Sequence, residues 1–109
     1  MALVLEDQSK ISGFLVAQGI DQEWELENIV VTAADQRRGL GSRLLREFLD
    51  LIRDEHAEAV FLEVRESNHA ARRLYEKFAF EQTGRRPHYY AQPNEDALTY
   101  RLNFPKLPR

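Results

Sequence analysis

The segment from Gln36 to Ser42 reads Q-R-R-G-L-G-S and lies directly before a helical pattern. Gly39 and Gly41 carry no Cβ atom, so the backbone there can approach a ligand closely. The first N–H groups of a helix lack intrahelical partners and favour an anion such as a pyrophosphate group. The segment therefore predicts an anion-binding turn, with an ordinary helix entry as the alternative. Three arginines add positive charge nearby, namely Arg37, Arg38 and Arg43.

Three side chains beyond this segment have chemistry suited to proton transfer or ligand binding. Glu63 alternates with apolar residues, which predicts an outward-facing carboxylate paired with Arg65. Tyr75 lies on the apolar stripe of a second helical pattern, where periodicity alone predicts a core aromatic residue. Asn68 precedes that pattern and is a good helix N-cap. A carboxylate, a phenol and an amide are side chains that can exchange a proton or hold a ligand by hydrogen bonds.

The composition excludes several classes of site. The chain has no cysteine, which rules out disulfides, thiolate metal ligands and a covalent thiol nucleophile. Its three histidines, His56, His69 and His88, lack the spacing of a zinc site, and no serine lies in a G-x-S-x-G turn. The net charge of −3 argues against a nucleic-acid binder. With no signal or membrane-spanning pattern, we expect a cytoplasmic protein that uses no metal.

The 109 residues correspond to one domain, residues 1–109, along which charge is unevenly distributed. Residues 1–30 contain one basic side chain against six acidic ones, whereas residues 31–109 contain 14 against 12. An anionic ligand therefore favours the second part. Glu23, Glu25 and Glu27 alternate along one strand pattern, which indicates either a solvated face or a surface that attracts basic peptides.

The periodicity predicts an α/β (α+β) fold in the order β-β-β-α-β-α-β-β. In the third strand, Asn28 is expected on the same side as Leu26. A helix begins at Leu40, where the apolar period changes from that of a strand to that of a helix. The last two strands are predicted to be joined by a loop that contains Pro87 and Pro93. The predicted strands are Ala2–Glu6, Ile11–Ile20, Glu23–Val31, Ala59–Val64, Phe80–Thr83 and Ala97–Leu102, and the predicted helices are Leu40–Ile52 and Ala71–Phe78.

The order of these motifs resembles the acetyl-CoA-dependent N-acetyltransferase superfamily, known as GNAT. Q-R-R-G-L-G before the first helix is similar to its pantetheine- and pyrophosphate-binding motif. The run from Asn68 to Phe80 is similar to its N-x-x-A-x-x-L-Y-x-x-x-G-F motif. L-E-V-R-x-S-N at Leu62–Asn68, and R-R-P-H-Y-Y followed by E-D-A, resemble the branch that acetylates the N-terminal alanine of ribosomal proteins. The resemblance covers roughly residues 3–102.

The resemblance implies a mixed, mostly antiparallel sheet that binds acetyl-CoA and passes its acetyl group directly to an amine, expected to be a protein N-terminus. Glu63 would be the general base, acting through water, and Tyr75 the general acid for the departing thiolate. Tyr89 and Tyr90 would line the acceptor side. The implied cofactor-binding residues are Ile29, Val30, Val31, Gln36, Arg37, Arg38, Gly39, Leu40, Gly41, Ser42 and Asn68.

Two features depart from the family pattern. The glycine expected before the last aromatic residue of the second motif is Ala79. The strand and two helices with which the family begins have no counterpart ahead of residue 1, so we expect uncovered apolar sheet surface that a second copy could cover as a homodimer. The alternatives are a small-molecule or lysine acetyltransferase of the same fold, and a non-catalytic CoA-binding or dimerising fragment.

Overall fold

The computed structural model describes residues 1–7, 10–32 and 39–105, and the order of their strands and helices confirms the predicted order. The turn predicted at residues 7–9 includes Gln8 and Ser9, which lie outside the described residues. The elements are β1 (Ala2–Asp7), β2 (Lys10–Ile20), β3 (Glu23–Val31), α1 (Leu40–Asp54), β4 (Ala59–Arg65), α2 (His69–Lys77), β5 (Glu81–Ala91) and β6 (Asn94–Asn103).

Both helices pack on one face of the sheet. Helix α1 begins at Leu40, as predicted, because Gly39 adopts a left-handed backbone with φ of 74°. Helix α2 buries Tyr75 in the same core. The opposite face of the sheet, called here the open face, therefore has no helix on it among the described residues. The buried residues of α1 recur at helical spacing, namely Leu44, Leu45, Phe48, Leu49 and Ile52.

The six strands form one sheet in the order β1-β2-β3-β4-β6-β5. All neighbouring strands are antiparallel except β3 and β4, which are parallel. That parallel pairing joins only Glu23–Glu25 to Ala59–Phe61. Beyond it, β3 continues along β2 while β4 continues along β6, so the two strands separate. The opening between residues 26–31 of β3 and residues 62–65 of β4 is called here the β3–β4 gap.

A β-bulge in β3 lies where this strand leaves β4. Val16 of β2 pairs with Asn28. Its neighbour Ala17 pairs with Leu26, which leaves Glu27 as an extra residue. An extra residue bends its strand and reverses the alternation of side chains beyond it. The prediction that Asn28 shares a side with Leu26 is therefore wrong, because Leu26 is buried and Asn28 is exposed.

The loop predicted before the last strand is instead part of a long β-hairpin. Strand β5 continues through Pro87 and is joined to β6 by a two-residue turn. Pro87 fits because β5 is an edge strand, where a missing N–H need not remove a bond of the ladder. The register shifts between Arg86 and Tyr90, which leaves residues 87–89 as a bulge opposite Asp96. This segment is called here the β5 bulge.

The open face carries exposed apolar side chains, as expected from the sequence. Val4 and Val30 lie on either side of Phe14 in register and are 50% and 38% exposed. Carboxylates of β3 and β4 share this face. In the described ranges, neither helix is long and apolar enough to cross a membrane.

Candidate functional site

The β3 edge of the β3–β4 gap presents backbone hydrogen-bonding groups. The Thr32 amide donates to the Ser12 carbonyl at 2.9 Å. Because backbone groups alternate along an antiparallel pair, Val30 turns its N–H and C=O toward β2, and Ile29 and Val31 turn theirs toward the gap. Of the three cofactor-binding residues predicted here, Ile29 therefore offers backbone groups on the side that β4 has left.

The N-terminus of α1 is suited to an anion. Gly39 provides no side-chain cap, and the first turn holds no acidic residue. A Cβ atom at Gly41 would lie 3.5 Å from Leu74 Cδ2, an ordinary contact, so packing within the protein does not require glycine there. Lys77 Nζ donates to Ser42 Oγ at 3.3 Å, which brings a further cation to this turn. The other predicted residues of the turn, Gln36, Arg37 and Arg38, lie outside the described residues.

Glu63 lies on the open face of β4, as strand alternation predicts. Its partner is Arg86, whose Nη2 lies 3.1 Å from Oε1. The predicted pair with Arg65 is wrong, because residues two apart on a strand are separated by about 6.6 Å and Arg65 pairs with Glu95 instead, at 3.3 Å. The Arg65 guanidinium also lies 4.0 Å from the centroid of the Tyr90 ring.

A cavity of about 320 Å³ lies at the β3–β4 gap, with Glu63 in its wall. Leu26 lines this cavity and also belongs to the core, so the cavity extends from the open face to the edge of the core. Three carboxylates in the wall favour a cationic occupant such as an ammonium group. The remaining lining residues are Glu25, Glu27, Tyr89 and Tyr90.

Tyr75 packs between Phe80 and Tyr100, with ring centroids 5.7 Å and 6.3 Å away. Burial raises the pKa of Tyr75 to about 12, so the phenol stays protonated at neutral pH and can donate a proton. Every fully buried side-chain N or O atom in the described ranges has a hydrogen-bond partner. The Tyr75 hydroxyl has none among those residues, so its oxygen retains access to solvent. The core position predicted from periodicity is therefore compatible with a reactive hydroxyl.

The two predicted catalytic residues lie on opposite sides of the sheet. Glu63 is on the open face, whereas Tyr75 is on the face that carries the helices. The two faces meet at the β3–β4 gap, where no ladder of hydrogen bonds joins the two strands within the described residues. A ligand that passes through the gap could therefore meet both groups.

The loop between β4 and α2 is fixed at its helix end by Asn68. The Asn68 Oδ1 accepts a hydrogen bond from the Ala71 amide at 3.2 Å, which confirms the N-cap role. One residue earlier, the Ser67 amide donates to the Glu95 carboxylate. Hydrogen bonds from the Ser67 side chain and from its amide, together with the Arg65 guanidinium, hold the pKa of Glu95 below its usual value. The loop is thereby tied to the β5–β6 hairpin.

A second carboxylate of that hairpin shapes the β5 bulge. Asp96 accepts a hydrogen bond from the His88 amide at 2.9 Å and pairs with Arg85 at 2.6 Å. The His88 amide and the Arg85 guanidinium hold the pKa of Asp96 below its usual value. Arg85 also pairs with Glu66, so the bulge and the loop before α2 are held together.

Sequence patterns did not indicate the network around Tyr100. Its hydroxyl accepts a hydrogen bond from Arg72 Nε at 3.2 Å and donates one to Glu76 Oε2 at 2.8 Å. Arg72 and Glu76 are four residues apart on α2, on either side of Tyr75 in the chain. The sequence feature that could have indicated this network is the opposite charge of Arg72 and Glu76 at a spacing of four residues. By itself, that spacing indicates only an exposed ion pair along one helix. The network fixes the rotation of α2 relative to β6 and thereby the direction of Tyr75.

Comparisons with known proteins agree with this geometry. The model of the acetyltransferase (GNAT) family matches residues 1–80. The ribosomal protein bS18-alanine N-acetyltransferase of Salmonella typhimurium is 38% identical over 102 residues, which cover 92% of this chain and 69% of that protein. The N-alpha-acetyltransferase RimI of Mycobacterium tuberculosis is 46% identical over 79 residues, or 72% of this chain and 48% of that protein. A relative from Bacillus subtilis is 33% identical over 88% of this chain, and the matched residues span 64% of the length of that relative.

Solved structures share the fold. The ribosomal-protein-S18-alanine N-acetyltransferase from Escherichia coli has a TM-score of 0.93 at 33% identity, over 99% of this chain and 71% of that chain. A GNAT family acetyltransferase from Elizabethkingia anophelis, solved with acetyl-CoA bound, has a TM-score of 0.86 at 18% identity, over 94% of this chain and 75% of that chain. The mixed, mostly antiparallel sheet expected from the sequence is therefore confirmed.

Proposed function

The chain belongs to the acetyltransferase (GNAT) family, and from that premise we propose that it transfers an acetyl group from acetyl-CoA to the α-amine of a protein N-terminus. The observation that carries the proposal is the β3–β4 gap. A cavity with three carboxylates lies at this gap. The Tyr75 phenol, whose pKa is raised to about 12, lies on the helix-covered face of the same sheet and packs on Tyr100, which is in register with Leu62 of β4.

Residues on both sides of the gap suit acetyl-CoA. Backbone groups of Ile29 would hold the pantetheine arm along the part of β3 that β4 has left. The N–H groups of Gly39–Ser42 would hold the pyrophosphate, because a helix N-terminus without acidic residues favours an anion. Asn68 would add a hydrogen bond at the start of α2 while it caps the helix. The further residues proposed to bind acetyl-CoA are Val30, Val31, Gln36, Arg37 and Arg38.

The proposed chemistry moves three protons, two from the attacking nitrogen and one to the departing sulfur. Acetyl-CoA supplies a thioester carbon that a neutral amine can attack. Glu63 accepts, through a water molecule, the proton that the acceptor ammonium must lose before attack. Tyr75 donates its proton to the departing sulfur as the N–C bond forms and the C–S bond breaks. The nitrogen then loses its second proton, which returns through water to the Tyr75 phenolate, and the proton held by Glu63 is released to solvent. No cysteine is available for a covalent acyl-enzyme, which supports direct attack.

An α-amine is the acceptor that suits this site best. Its reference pKa is about 7.7–8.0, so reaching the neutral form at pH 7 costs about 1.2 kcal/mol. A lysine side chain, with a reference pKa of about 10.4, costs about 4.6 kcal/mol. A single carboxylate acting through water suits the smaller demand. Similar proteins named for the N-terminal alanine of ribosomal protein bS18 support a ribosomal protein as the acceptor.

Calorimetric titration with acetyl-CoA tests the cofactor half of the proposal. We expect binding near one-to-one at micromolar concentration. Gly41→Ala should weaken this binding severalfold because the added methyl group occupies the surface that the ligand approaches. The same change should raise the free energy of unfolding by about 0.5 kcal/mol, since its Cβ fits and alanine favours a helix. Leu51→Ala, on the exposed side of α1, is the control that should leave acetyl-CoA binding unchanged.

Turnover with a panel of acceptors tests the other half. Peptides with a free N-terminal alanine should be acetylated faster than blocked peptides containing lysine and faster than small amines. Faster turnover of either of the last two would favour the lysine or small-molecule alternative. Acetyl-CoA binding without any turnover would favour the non-catalytic module, and sedimentation at several concentrations would then show whether it forms a homodimer.

A further inference from the structure

Arg86 forms an ion pair with Glu63, the carboxylate on which the proposed reaction depends. Its Nη2 lies 3.1 Å from Glu63 Oε1, and the two side chains are 59% and 27% exposed. In the part of the chain that the structure describes, Glu63 is the only carboxylate with which Arg86 forms an ion pair. The ion pair therefore lies at the rim of the cavity, where an incoming ligand can reach it.

The sheet provides a path for this contact. Arg86 is in register with Ala97, and Glu63 is in register with Thr99, so the arginine must reach diagonally across β6. The side chains along this path are small, since Ala97 is in register with Arg86, and Thr99 is in register with Gly84 of β5. A low surface of this kind lets the long arginine side chain lie across the strand.

Resting on the proposed function, we propose that Arg86 is a positioning residue that stands in for the acceptor's α-ammonium group at Glu63. While the cavity is empty, Arg86 keeps the Glu63 carboxylate paired and oriented. When a peptide N-terminus arrives, its ammonium group replaces the guanidinium. The exchange keeps one positive charge beside Glu63 throughout, so the carboxylate is not left unpaired among the other carboxylates of the cavity.

Tyr89 gives the displaced guanidinium a place to rest. The Arg86 Cζ already lies 5.4 Å from the centroid of the Tyr89 ring, within the range of a cation–π contact. Tyr89 lines the cavity, so the movement of Arg86 is confined to its rim. The exchange favours acceptors that arrive with a charged N-terminus and gives no advantage to neutral ones.

A binding cycle between Arg86 and the peptide N-terminus tests this proposal. An alanine-initiated peptide and its N-acetylated form are titrated calorimetrically into the protein at pH 7 in the presence of CoA, which has no acetyl group to transfer. Arg86→Gln removes the competing cation and should tighten binding of the free peptide about two- to fivefold, the range for a partly exposed ion pair. Binding of the N-acetylated peptide should not change.

Two further variants separate exchange from general electrostatics. Arg101→Gln removes a cation that pairs with Glu23 on the same face. This variant should change the affinities for the free and the N-acetylated peptide by the same factor, so that the ratio of the two affinities stays as in the unmodified protein. Arg86→Lys keeps the charge and should bind both peptides as the unmodified protein does.

The cycle has two contrary outcomes that can be told apart. Equal effects of Arg86→Gln on both peptides, or weaker binding of the free peptide, would overturn the role of Arg86. Failure of the unmodified protein to bind either peptide, even with CoA present, would overturn the proposed function and the role of Arg86 with it.

Discussion

At the scale of single residues, the position of Glu63 in the cavity wall decides its chemistry. The carboxylate faces two tyrosine rings and two further carboxylates rather than its neighbours along the strand. An acceptor ammonium in this cavity would lie within reach of Glu63, directly or through one water molecule. The identity of this one side chain should therefore affect turnover much more than cofactor binding.

We expect Glu63→Gln to lower kcat about 10²- to 10⁴-fold, the usual contribution of a general base, because the amide cannot accept the proton. The affinity for acetyl-CoA, measured by calorimetry, should not change. Glu81→Gln at the exposed start of β5 is the matched control and should retain full kcat. Full activity in Glu63→Gln would contradict the assigned base.

Because Tyr75 is buried, we expect the free energy of unfolding to depend on pH under alkaline conditions. Burial raises its pKa to about 12 in the folded protein, whereas the unfolded value is about 10. Below pH 10 the phenol is protonated in both the folded and the unfolded state, so its contribution to the free energy of unfolding is fully present. As the pH rises from about 10 to 12, only the unfolded chain releases the proton, so the free energy of unfolding falls by up to about 2.7 kcal/mol.

The measurement is urea unfolding at several pH values between 9 and 12. Tyr75→Phe cannot ionise and should show a shallower decline over this interval than the unmodified protein. Parallel curves for the two proteins would contradict the buried phenol. Tyr75→Phe should also lower kcat at neutral pH, because it removes the proposed proton donor.

At the scale of elements, the end of α2 carries local strain. Ala79 follows the helix with φ of 70°, a left-handed conformation that costs a residue with a Cβ atom about 1–2 kcal/mol. Ala79, which stands where the family pattern has glycine, therefore adopts a backbone conformation that glycine favours. We expect Ala79→Gly to raise the free energy of unfolding by about 1 kcal/mol in urea titrations.

Ala71→Gly provides a comparison of opposite sign, because this residue lies inside α2. It should lower the free energy of unfolding by about 1 kcal/mol. A loss of stability in Ala79→Gly would show that the methyl group makes a favourable contact that outweighs the backbone strain.

The β5 bulge should depend on Asp96. Asp96→Asn removes the charge that pairs with Arg85 but leaves an oxygen that can accept from the His88 amide. We expect the bulge to shift and the KM for an acceptor peptide to rise about three- to tenfold, since Tyr89 and Tyr90 line the cavity. Acetyl-CoA affinity should stay constant.

Asp50→Asn is the control for this change. It removes an exposed carboxylate that pairs with Arg53 on α1, away from the cavity. Both kinetic constants should be unchanged in this variant. An unaltered peptide KM in Asp96→Asn would mean that the bulge keeps its shape without the Arg85 ion pair.

At the scale of the whole molecule, acidic side chains on the open face lead toward the cavity. Glu23 and Glu63 are paired with arginines, whereas Glu25 and Glu27 form no ion pair within the described residues. We expect kcat/KM for a basic peptide to fall as salt rises, and to fall less steeply in the double variant Glu25→Gln/Glu27→Gln.

The double variant Asp54→Asn/Glu55→Gln, at the far end of α1, matches this change in net charge. Its salt dependence should equal that of the unmodified protein. Equal salt dependence in both double variants would favour the interpretation of the acidic strand as a solvated face without a steering role.

Strands and helices were predicted correctly where they depend on local sequence patterns. The predictions were wrong where the conformation depends on pairing with a strand that is distant in the chain. The amphipathic stripe that begins at Leu40 predicted α1 because a helix is stabilised by neighbours three and four residues apart. Pro87 suggested a loop, yet an edge strand tolerates it. Asn28 was assigned to the wrong face because the extra residue at Glu27 depends on pairing with β2.

Local sequence patterns were enough to predict the order of the elements, the glycine turn at Gly39, the N-cap at Asn68 and the outward direction of Glu63. These features depend on backbone preferences and side-chain spacing within a few residues. The folded chain was needed to show that Arg86 rather than Arg65 pairs with Glu63, and that Tyr100 holds α2. These contacts depend on strand order and register, which bring together residues that are far apart in the chain.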